Sequence, residues 1–151
     1  MANNYGKQII TMLSDGQALP DSTGADSTNM AYVGGSTNGG LAISVYAKTA
    51  ISIATAQAFS IELQAFTSDA GTSATSPFQT GGVLEDNAHC YLLHKTSGDG
   101  QLDFAAGDLM AQFVIPGEWL DLLSYDWVQL RYLTDADESS ETVDAFLHAL
   151  F

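Results

Sequence analysis

His89, Cys90 and His94 form the one short stretch of the chain that is rich in transition-metal ligands. Structural zinc sites use imidazole nitrogens and thiolates, usually four of them in a tetrahedral arrangement. If residues 90–94 form a regular strand, Cys90 and His94 lie on one face and His89 lies on the other. No second pair of ligands completes the set. The sequence therefore favours a buried thiol beside two partly exposed histidines, with no metal.

The loop that contains Asp99 and Asp103 is the candidate for calcium. It reads Ser-Gly-Asp-Gly-Gln-Leu-Asp over residues 97–103, which offers carboxylate oxygens and glycines that permit a tight turn. The loop lacks the second carboxylate position and the closing Glu of an EF-hand, and Asp-Gly is also a turn signal. We expect a turn here, and calcium binding near Asp99 and Asp103 stays an open alternative.

Nucleophilic catalysis needs a Ser or Cys beside a His and an orienting carboxylate, and the sequence has no Gly-x-Ser-x-Gly elbow. It also has no glycine-rich phosphate cradle before a helix, because two glycine pairs bracket residues 36–38 as a hairpin-like loop. Two glycosidase carboxylates could lie anywhere in the chain. Trp119, Tyr125 and Trp127 could stack on a sugar, although core packing explains them more simply. We expect a protein that is not an enzyme, without catalytic residues and without a cofactor.

The charge balance restricts the partners. Four basic residues, Lys7, Lys48, Lys95 and Arg131, face eighteen acidic ones, which gives a formal net charge of −14. Nucleic acids and anionic membrane surfaces are bound by clustered Lys and Arg, whereas these four residues are scattered. The sequence disfavours both partners and favours proteins with basic patches.

A chain of 151 residues, 46% of them hydrophobic, fits a single domain with its own core, which we expect over residues 1–151. No run of about twenty apolar residues could span a bilayer, and the first residues lack the apolar core of a signal peptide. The lone Cys90 differs from the paired cysteines of small secreted domains. These features predict a cytosol-like compartment.

Apolar residues alternate with polar ones in short runs separated by Gly, Ser, Thr, Asn and Asp, the pattern of an antiparallel all-β domain. The surest strands are predicted at residues 41–46, 59–66, 109–115 and 127–132, and weaker ones at residues 8–13, 29–33, 90–94 and 143–150. About eight short strands with little helix predict a jelly-roll-like antiparallel β-sandwich. The last run could begin a helix after Ser140, but its alternation favours a strand.

Long polar connections at residues 14–28, 67–82 and 96–107 are candidates for binding, because loops of this length are often functional. Flexible, solvated loops are the alternative. A short helical turn is predicted at residues 117–124. The acidic stretch at residues 135–141 could dock onto a basic partner, but a solvated turn between the last two strands fits it better.

Several features follow one another along the chain. They are Leu-Ser-Asp-Gly-Gln-Ala-Leu at residues 13–19, Ser-Thr-Asn at residues 27–29 before a strand into Gly34 and Gly35, Ile-Glu-Leu-Gln-Ala-Phe-Thr-Ser-Asp at residues 61–69 with Phe78 after it, Val-Ile-Pro-Gly at residues 114–117, and Val-Gln-Leu-Arg-Tyr at residues 128–132 before Ala-Phe-Leu at residues 145–147. In this order they resemble the Bbp16-like family of phage capsid cement, or decoration, proteins. The resemblance covers most of the chain, but residues 81–107 have no counterpart in it.

The resemblance implies a jelly-roll structural protein on the outer surface of the capsid of a tailed phage, made in the host cytoplasm. There it would bridge major capsid protein subunits, associate with itself as a dimer or trimer, and stabilise the shell by binding only its assembled form. The alternatives are another virion component, such as a head fibre base or tail adaptor, and a small carbohydrate-binding module.

The resemblance assigns no contact residues. By position alone, residues 1–19 are a candidate arm that reaches a neighbour, with Asn3, Asn4, Tyr5 and Lys7 as the partner-contacting candidates. The alternative is a first strand paired within the protein's own sheet.

Overall fold

A computed structural model describes residues 10–33, 41–66, 90–115 and 127–149. Within these ranges the chain forms eleven strands and no helix. The strands are β1 (Ile10–Ala18), β2 (Gly24–Asp26), β3 (Ala31–Tyr32), β4 (Leu41–Ala47), β5 (Ile51–Ile53), β6 (Phe59–Phe66), β7 (Cys90–Lys95), β8 (Leu102–Phe104), β9 (Leu109–Ile115), β10 (Trp127–Thr134) and β11 (Thr142–Ala149). The described part of the protein is therefore all-β, as the alternation predicts.

The strands form two main antiparallel sheets. One sheet has four strands in the order β1-β11-β4-β9, and the other has the order β2-β10-β6-β7 with β3 also paired to β10. A separate small sheet joins β5 to β8. β11, near the end of the chain, pairs with both β1 and β4, so the fold depends on contacts between distant parts of the sequence.

The core lies between the two main sheets, which pack as a β-sandwich. The four-stranded sheet contributes Leu41, Ile43, Val45, Val143, Ala145 and Leu147, and the five-stranded sheet contributes Phe59, Ile61, Leu63, Val128, Leu130 and Tyr132. These residues alternate with residues on the outer faces, as the two-residue period of a strand requires. The hydroxyl of Tyr132 lies 2.9 Å from the hydroxyl of Ser14, and burial raises the pKa of Tyr132 to about 12.

The four surest strands are confirmed as β4, β6, β9 and β10, and the weaker runs at residues 90–94 and 143–150 as β7 and β11 within the described ranges. The run at residues 8–13 overlaps β1, and the run at residues 29–33 is a strand only at the two residues of β3. The alternation does not predict β2, β5 and β8, because strands of three residues are too short to show a period. Two of the long connections are consequently interrupted, residues 14–28 by β1 and β2, and residues 96–107 by β8.

β1 continues to Ala18, five residues beyond its predicted end. Its pairing with β11 is irregular at two places, and Gly16 has a φ of 56°, which suits a residue without a Cβ. This pairing places residues 10–18 in the protein's own sheet. That part of the candidate arm over residues 1–19 is therefore an internal strand, and residues 1–9 lie outside the described ranges.

The predicted shared face for Cys90 and His94 is wrong, because β7 is not a regular strand. Its pairing with β6 contains a bulge, in which Leu92 is the extra residue. Cys90 pairs with Leu63, and His94 pairs with Ser60. Leu63 and Ser60 are three residues apart on β6, so the two pairs lie on opposite faces of the sheet.

Other expectations fall outside the described ranges. They are the helical turn at residues 117–124, the connection at residues 67–82 and the glycine-bracketed loop at residues 36–38. Where the structure does describe the chain, it contains no helix that is long and apolar enough to cross a membrane.

Candidate docking face

The four-stranded sheet turns one face away from the core, and most of that face is uncharged. Row by row across β9, β4 and β11, its residues are Leu109, Tyr46 and Asp144; Gln112, Ser44 and Phe146; and Val114, Ala42 and His148. These nine residues are called the outer face below. Asp144, at one end, is its one carboxylate. In a chain with a net charge of −14, such a face is a candidate for contact with another protein.

A small side chain on β4 leaves a hollow in the outer face, because Ser44 lies between the larger Gln112 and Phe146. The hollow measures about 380 Å³ and is lined by Ser44, Tyr46, Phe146 and His148. The rings of Tyr46 and Phe146 meet edge to face, with centroids 6.1 Å apart and an interplanar angle of 69°, which is a favoured aromatic geometry. A side chain from a partner could therefore insert between aromatic walls.

The β9 side of the outer face carries two exposed aliphatic residues. Val114 is 50% exposed and Leu109 is 48% exposed. The outer side of the other sheet differs, since its central strands place Glu62 and Arg131 opposite each other. Among the described residues, large exposed aliphatic side chains thus lie on the four-stranded sheet, whereas the exposed Tyr32 lies on the other sheet.

A serine and a histidine meet at the floor of the hollow. Ser44 Oγ lies 3.2 Å from His148 Nε2, and Gln112 Nε2 donates to the same hydroxyl over 3.0 Å. A catalytic triad would also need a carboxylate that orients the histidine. Asp144 is four residues away along β11, at about 13 Å for an extended chain, and its Oδ1 accepts the backbone N–H of Gly16. The hydroxyl of Ser44 therefore joins His148 and Gln112 by hydrogen bonds, and Asp144 is too far from His148 to complete a triad.

Lys48 lies at the charged end of the outer face. Its Nζ is 3.6 Å from Asp15 Oδ1 and 3.8 Å from Asp144 Oδ1. Lys48 and Asp15 are largely exposed, so these ion pairs add little stability. A second hollow of about 390 Å³ lies beside Lys48 and shares Tyr46 and Phe146 with the first. The charged residues therefore border the aromatic surface and do not interrupt it.

The acidic stretch forms the turn between β10 and β11, as the sequence favours, but its carboxylates are not simply solvated. Asp135 Oδ1 accepts a backbone N–H from the connection between β5 and β6 over 2.9 Å. Hydrogen bonds from the hydroxyl and backbone of Ser139 hold the pKa of Asp137 below its usual range. Glu138 is buried and accepts a hydrogen bond from Gln57 over 2.8 Å. The turn is thus held against the neighbouring connection.

Asp99 and Asp103 belong to two separate hydrogen-bond networks. Asp99 Oδ2 accepts the backbone N–H and the hydroxyl of Thr96, at 2.8 and 2.9 Å, in the turn after β7. Asp103 Oδ1 accepts the hydroxyl of Ser52 at 2.6 Å and the amide of Gln101 at 3.0 Å. These donors hold the pKa of both carboxyls below the usual range. In the described ranges, no group of three or more His, Cys, Asp or Glu residues is placed to hold a metal ion.

His94 contacts two polar neighbours on the outer side of the five-stranded sheet. Its Nδ1 lies 2.9 Å from Ser60 Oγ, and its ring stacks on Tyr91 with centroids 4.1 Å apart. Burial, followed by the nearby charge of Glu62, raises the pKa of Tyr91. His89 lies outside the described residues.

Trp127 is the one candidate for sugar stacking that the structure describes, since Trp119 and Tyr125 lie outside the described ranges. It is half-buried at the start of β10 and meets Tyr32 of β3 edge to face, with centroids 5.2 Å apart. Tyr32 is 61% exposed. The pair forms a small exposed aromatic site on the five-stranded sheet.

The partner-contacting candidates Asn3, Asn4, Tyr5 and Lys7 also lie outside the described ranges. The sequence patterns did not indicate that the outer face could contact a partner. The alternation along β4 puts Tyr46 opposite the core-facing residues, but its meeting with Phe146 results from the register between β4 and β11. The register between two strands that are far apart in the sequence cannot be deduced from the local pattern of either strand.

No protein-family model matches the chain, and no curated protein matches it.

Proposed function

We propose that this protein is a capsid cement, or decoration, protein of the Bbp16-like kind. It is a structural protein without enzymatic activity that binds the outer surface of a phage head and bridges major capsid protein subunits. The observation that carries the proposal is the outer face, an apolar and nearly uncharged sheet surface in a strongly acidic protein. Such a surface suits a large protein partner better than a small ligand.

The order of the strands supports a jelly roll. If β2 and β3 count as one strand and the small β5–β8 sheet is set aside, eight strands remain in chain order. Their order in the sheets is then 1-8-3-6 and 2-7-4-5. A jelly roll, the fold expected of this family, has this arrangement of two interleaved four-stranded sheets.

The described basic residues support a protein partner over nucleic acid. Lys95 is buried, Lys48 lies between two carboxylates, and Arg131 Nη1 lies 2.8 Å from Asp26 Oδ1. In the described ranges, none of them joins a cluster that could displace counterions from a phosphate backbone. An acidic protein is also repelled by packaged DNA, which suits a location outside the shell of the virion.

The arm hypothesis remains for residues 1–9, with Asn3, Asn4, Tyr5 and Lys7 as a second contact to a neighbouring subunit. Deleting these nine residues leaves β1 complete. Attachment to heads should weaken while the thermal unfolding of the free protein stays unchanged. Loss of folding in the deletion variant would instead assign these residues to the domain itself.

The test is a binding measurement on heads that lack the protein. Purified protein is added at increasing concentration, and both the bound copies per head and the temperature of DNA release are measured. We expect saturation at a symmetry-related copy number and a higher release temperature. Phe146→Ser should reduce binding at least about tenfold, because truncation of a central aromatic contact typically costs 2 kcal/mol or more.

Tyr32→Ser is the matched control, because it truncates an exposed aromatic residue on the other sheet. It should leave binding unchanged, and circular dichroism should show that both variants fold. Loss of binding in Tyr32→Ser alone would move the docking site to the five-stranded sheet. Saturation at only a few copies per head would indicate a head fibre base or tail adaptor in place of a cement protein.

The exposed pair of Tyr32 and Trp127 favours one second candidate, a small carbohydrate-binding module. A glycan screen with the free protein tests it. Glycan binding that Tyr32→Ser abolishes, together with no binding to heads, would replace the cement proposal.

A further inference from the structure

A β-sandwich has exposed sheet edges, and proteins normally protect them against pairing with other chains. The usual protections are charged side chains, proline, bulges and short strands. Among the strands that the structure describes, the long ones at the edges of the two main sheets are β1 and β9 in one and β7 in the other. These three edges are protected to different degrees.

β1 and β7 both carry such protections. β1 is irregular at two places and contains the exposed Asp15 and the left-handed Gly16. β7 has the bulge at Leu92 and ends in Lys95. Either strand would pair poorly with a straight strand from another molecule.

β9 is the exception. Its seven residues, Leu-Met-Ala-Gln-Phe-Val-Ile, include no charged residue and no proline. Among the described strands it is hydrogen-bonded to β4 alone, and its one irregularity lies at its first residues. Leu109, Gln112 and Val114 are exposed along it. An uncharged, largely straight edge with exposed apolar residues favours strand addition.

We propose that β9 pairs antiparallel with β9 of a second copy of this chain and joins the two four-stranded sheets into one. This inference rests on the proposed function and gives a location to the self-association that the resemblance implies. Antiparallel pairing of a strand with itself is symmetric about a two-fold axis, which is the commonest symmetry of protein dimers.

Charge identifies a second copy as the occupant. Two chains of −14 each repel, so they can approach most easily where neither presents a charge. A basic partner would gain nothing from this edge and would prefer the acidic turns. If the pairing is centred on Gln112, the two copies of Asp108 lie eight residues apart, at about 27 Å. That distance exceeds the screening length of about 8 Å at physiological salt.

The pairing has a consequence for docking. A two-fold axis perpendicular to the joined sheet keeps both outer faces on the same side of the dimer. One dimer would therefore present two hollows to one surface and could bridge two neighbouring subunits. Bivalent attachment of this kind strengthens binding without any new type of contact.

Sedimentation velocity on the free protein tests the proposal over a range of about 1 to 200 µM. We expect a reversible dimer. Val114→Glu adds a like charge to both copies at the edge and should weaken the dimer at least about tenfold. Ala18→Glu makes the same charge change on the protected strand β1 and should leave the dimer unchanged. A wild-type monomer throughout this range, or equal dimers in all three proteins, would overturn the proposal.

A disulfide experiment locates the contact independently. Mild oxidation should link two copies of Gln112→Cys, since this residue lies at the middle of β9, but it should not link Ala18→Cys. Cys90 is present in both variants, so its own reactivity cancels in the comparison. Linking through Ala18→Cys alone would place the contact at β1. If the free protein is monomeric but saturates heads, this inference fails while the cement proposal stands.

Discussion

At the scale of single residues, Glu138 is the carboxyl among the described residues whose pKa is raised. It is 5% exposed, and Glu141 and Asp137 lie close enough to add negative charge. In the described structure, Glu141 Oε2 is also buried without a hydrogen-bond partner. Burial first, and these charges second, raise the pKa of Glu138, although a hydrogen bond from Gln57 opposes the shift. Folding therefore favours the neutral form of this side chain.

Glu138→Gln should stabilise the protein at neutral pH. Because the pKa is raised in the folded state, the contribution of Glu138 to stability is greatest below its ordinary value of about 4.3 and is lost as the pH rises through the raised value. The variant keeps an acceptor for Gln57 and is neutral at every pH. Thermal unfolding followed by circular dichroism should show a Tm about 2 to 4 °C higher at pH 7.5, and no difference near pH 4.

Asp137→Asn is the control, because this residue lies in the same turn but has a lowered pKa. Its charged form contributes stability above the ordinary carboxyl pKa, and that contribution is lost as the pH falls through the lowered value. Asp137→Asn should therefore lower the Tm at pH 7.5 and converge with the wild type in acid. If both variants raised the Tm equally, the reduction of net charge would explain the result, and the burial of Glu138 would not.

At the scale of elements, the long strands could be predicted from the sequence and the contacts between them could not. β4 and β6 alternate along their length, so their core-facing sides can be read directly. The bulge at Leu92 cannot be recognised in the sequence. It places Cys90 and His94 on opposite faces of the sheet, whereas a regular strand would place them on one face. The floor of the hollow joins Ser44 to His148, which are 104 residues apart. Only the folded pairing of the strands brings such residues together.

The end of β7 is connected to a neighbouring segment by Lys95. This residue is 2% exposed, and its Nζ donates to the carbonyl oxygens of Gln57 at 2.7 Å and Thr55 at 3.2 Å. Lys95→Met keeps the apolar stem but removes the donor. The free energy of unfolding, measured by chemical denaturation, should fall by about 2 kcal/mol. Hydrogen exchange should also accelerate at the amides of residues 54–58.

Lys48→Met makes the same chemical change at a lysine whose side chain is 49% exposed. Its ion pairs are long and solvated, so the loss should stay below about 1 kcal/mol, with no change in exchange at residues 54–58. Equal losses in the two variants would show that a positive charge stabilises the protein wherever it lies. The buried contact of Lys95 would then have no special role.

At the scale of the whole molecule, the acids that the structure describes are unevenly distributed. Many of the described acids lie in the connections at one end of the sandwich, where β1, β4, β7 and β10 end. They are Asp21, Asp99, Asp108, Asp135, Asp137, Glu138 and Glu141. The outer face and the β9 edge carry Asp144 as their one carboxylate. The described part of the molecule thus combines a charged end with a nearly uncharged sheet face and edge.

This distribution predicts how salt acts on the proposed dimer. The β9 contact contains no ion pair, whereas the two chains repel through their net charges of −14. Raising sodium chloride from about 20 to 300 mM shortens the screening length from roughly 20 Å to 6 Å and so reduces this repulsion. The dissociation constant, measured by sedimentation equilibrium, should fall severalfold. A contact that joined the acidic end of one copy to Lys48 or Arg131 of another would weaken over the same range, because salt screens attraction equally. A dissociation constant that rises with salt would therefore exclude the uncharged β9 edge as the contact.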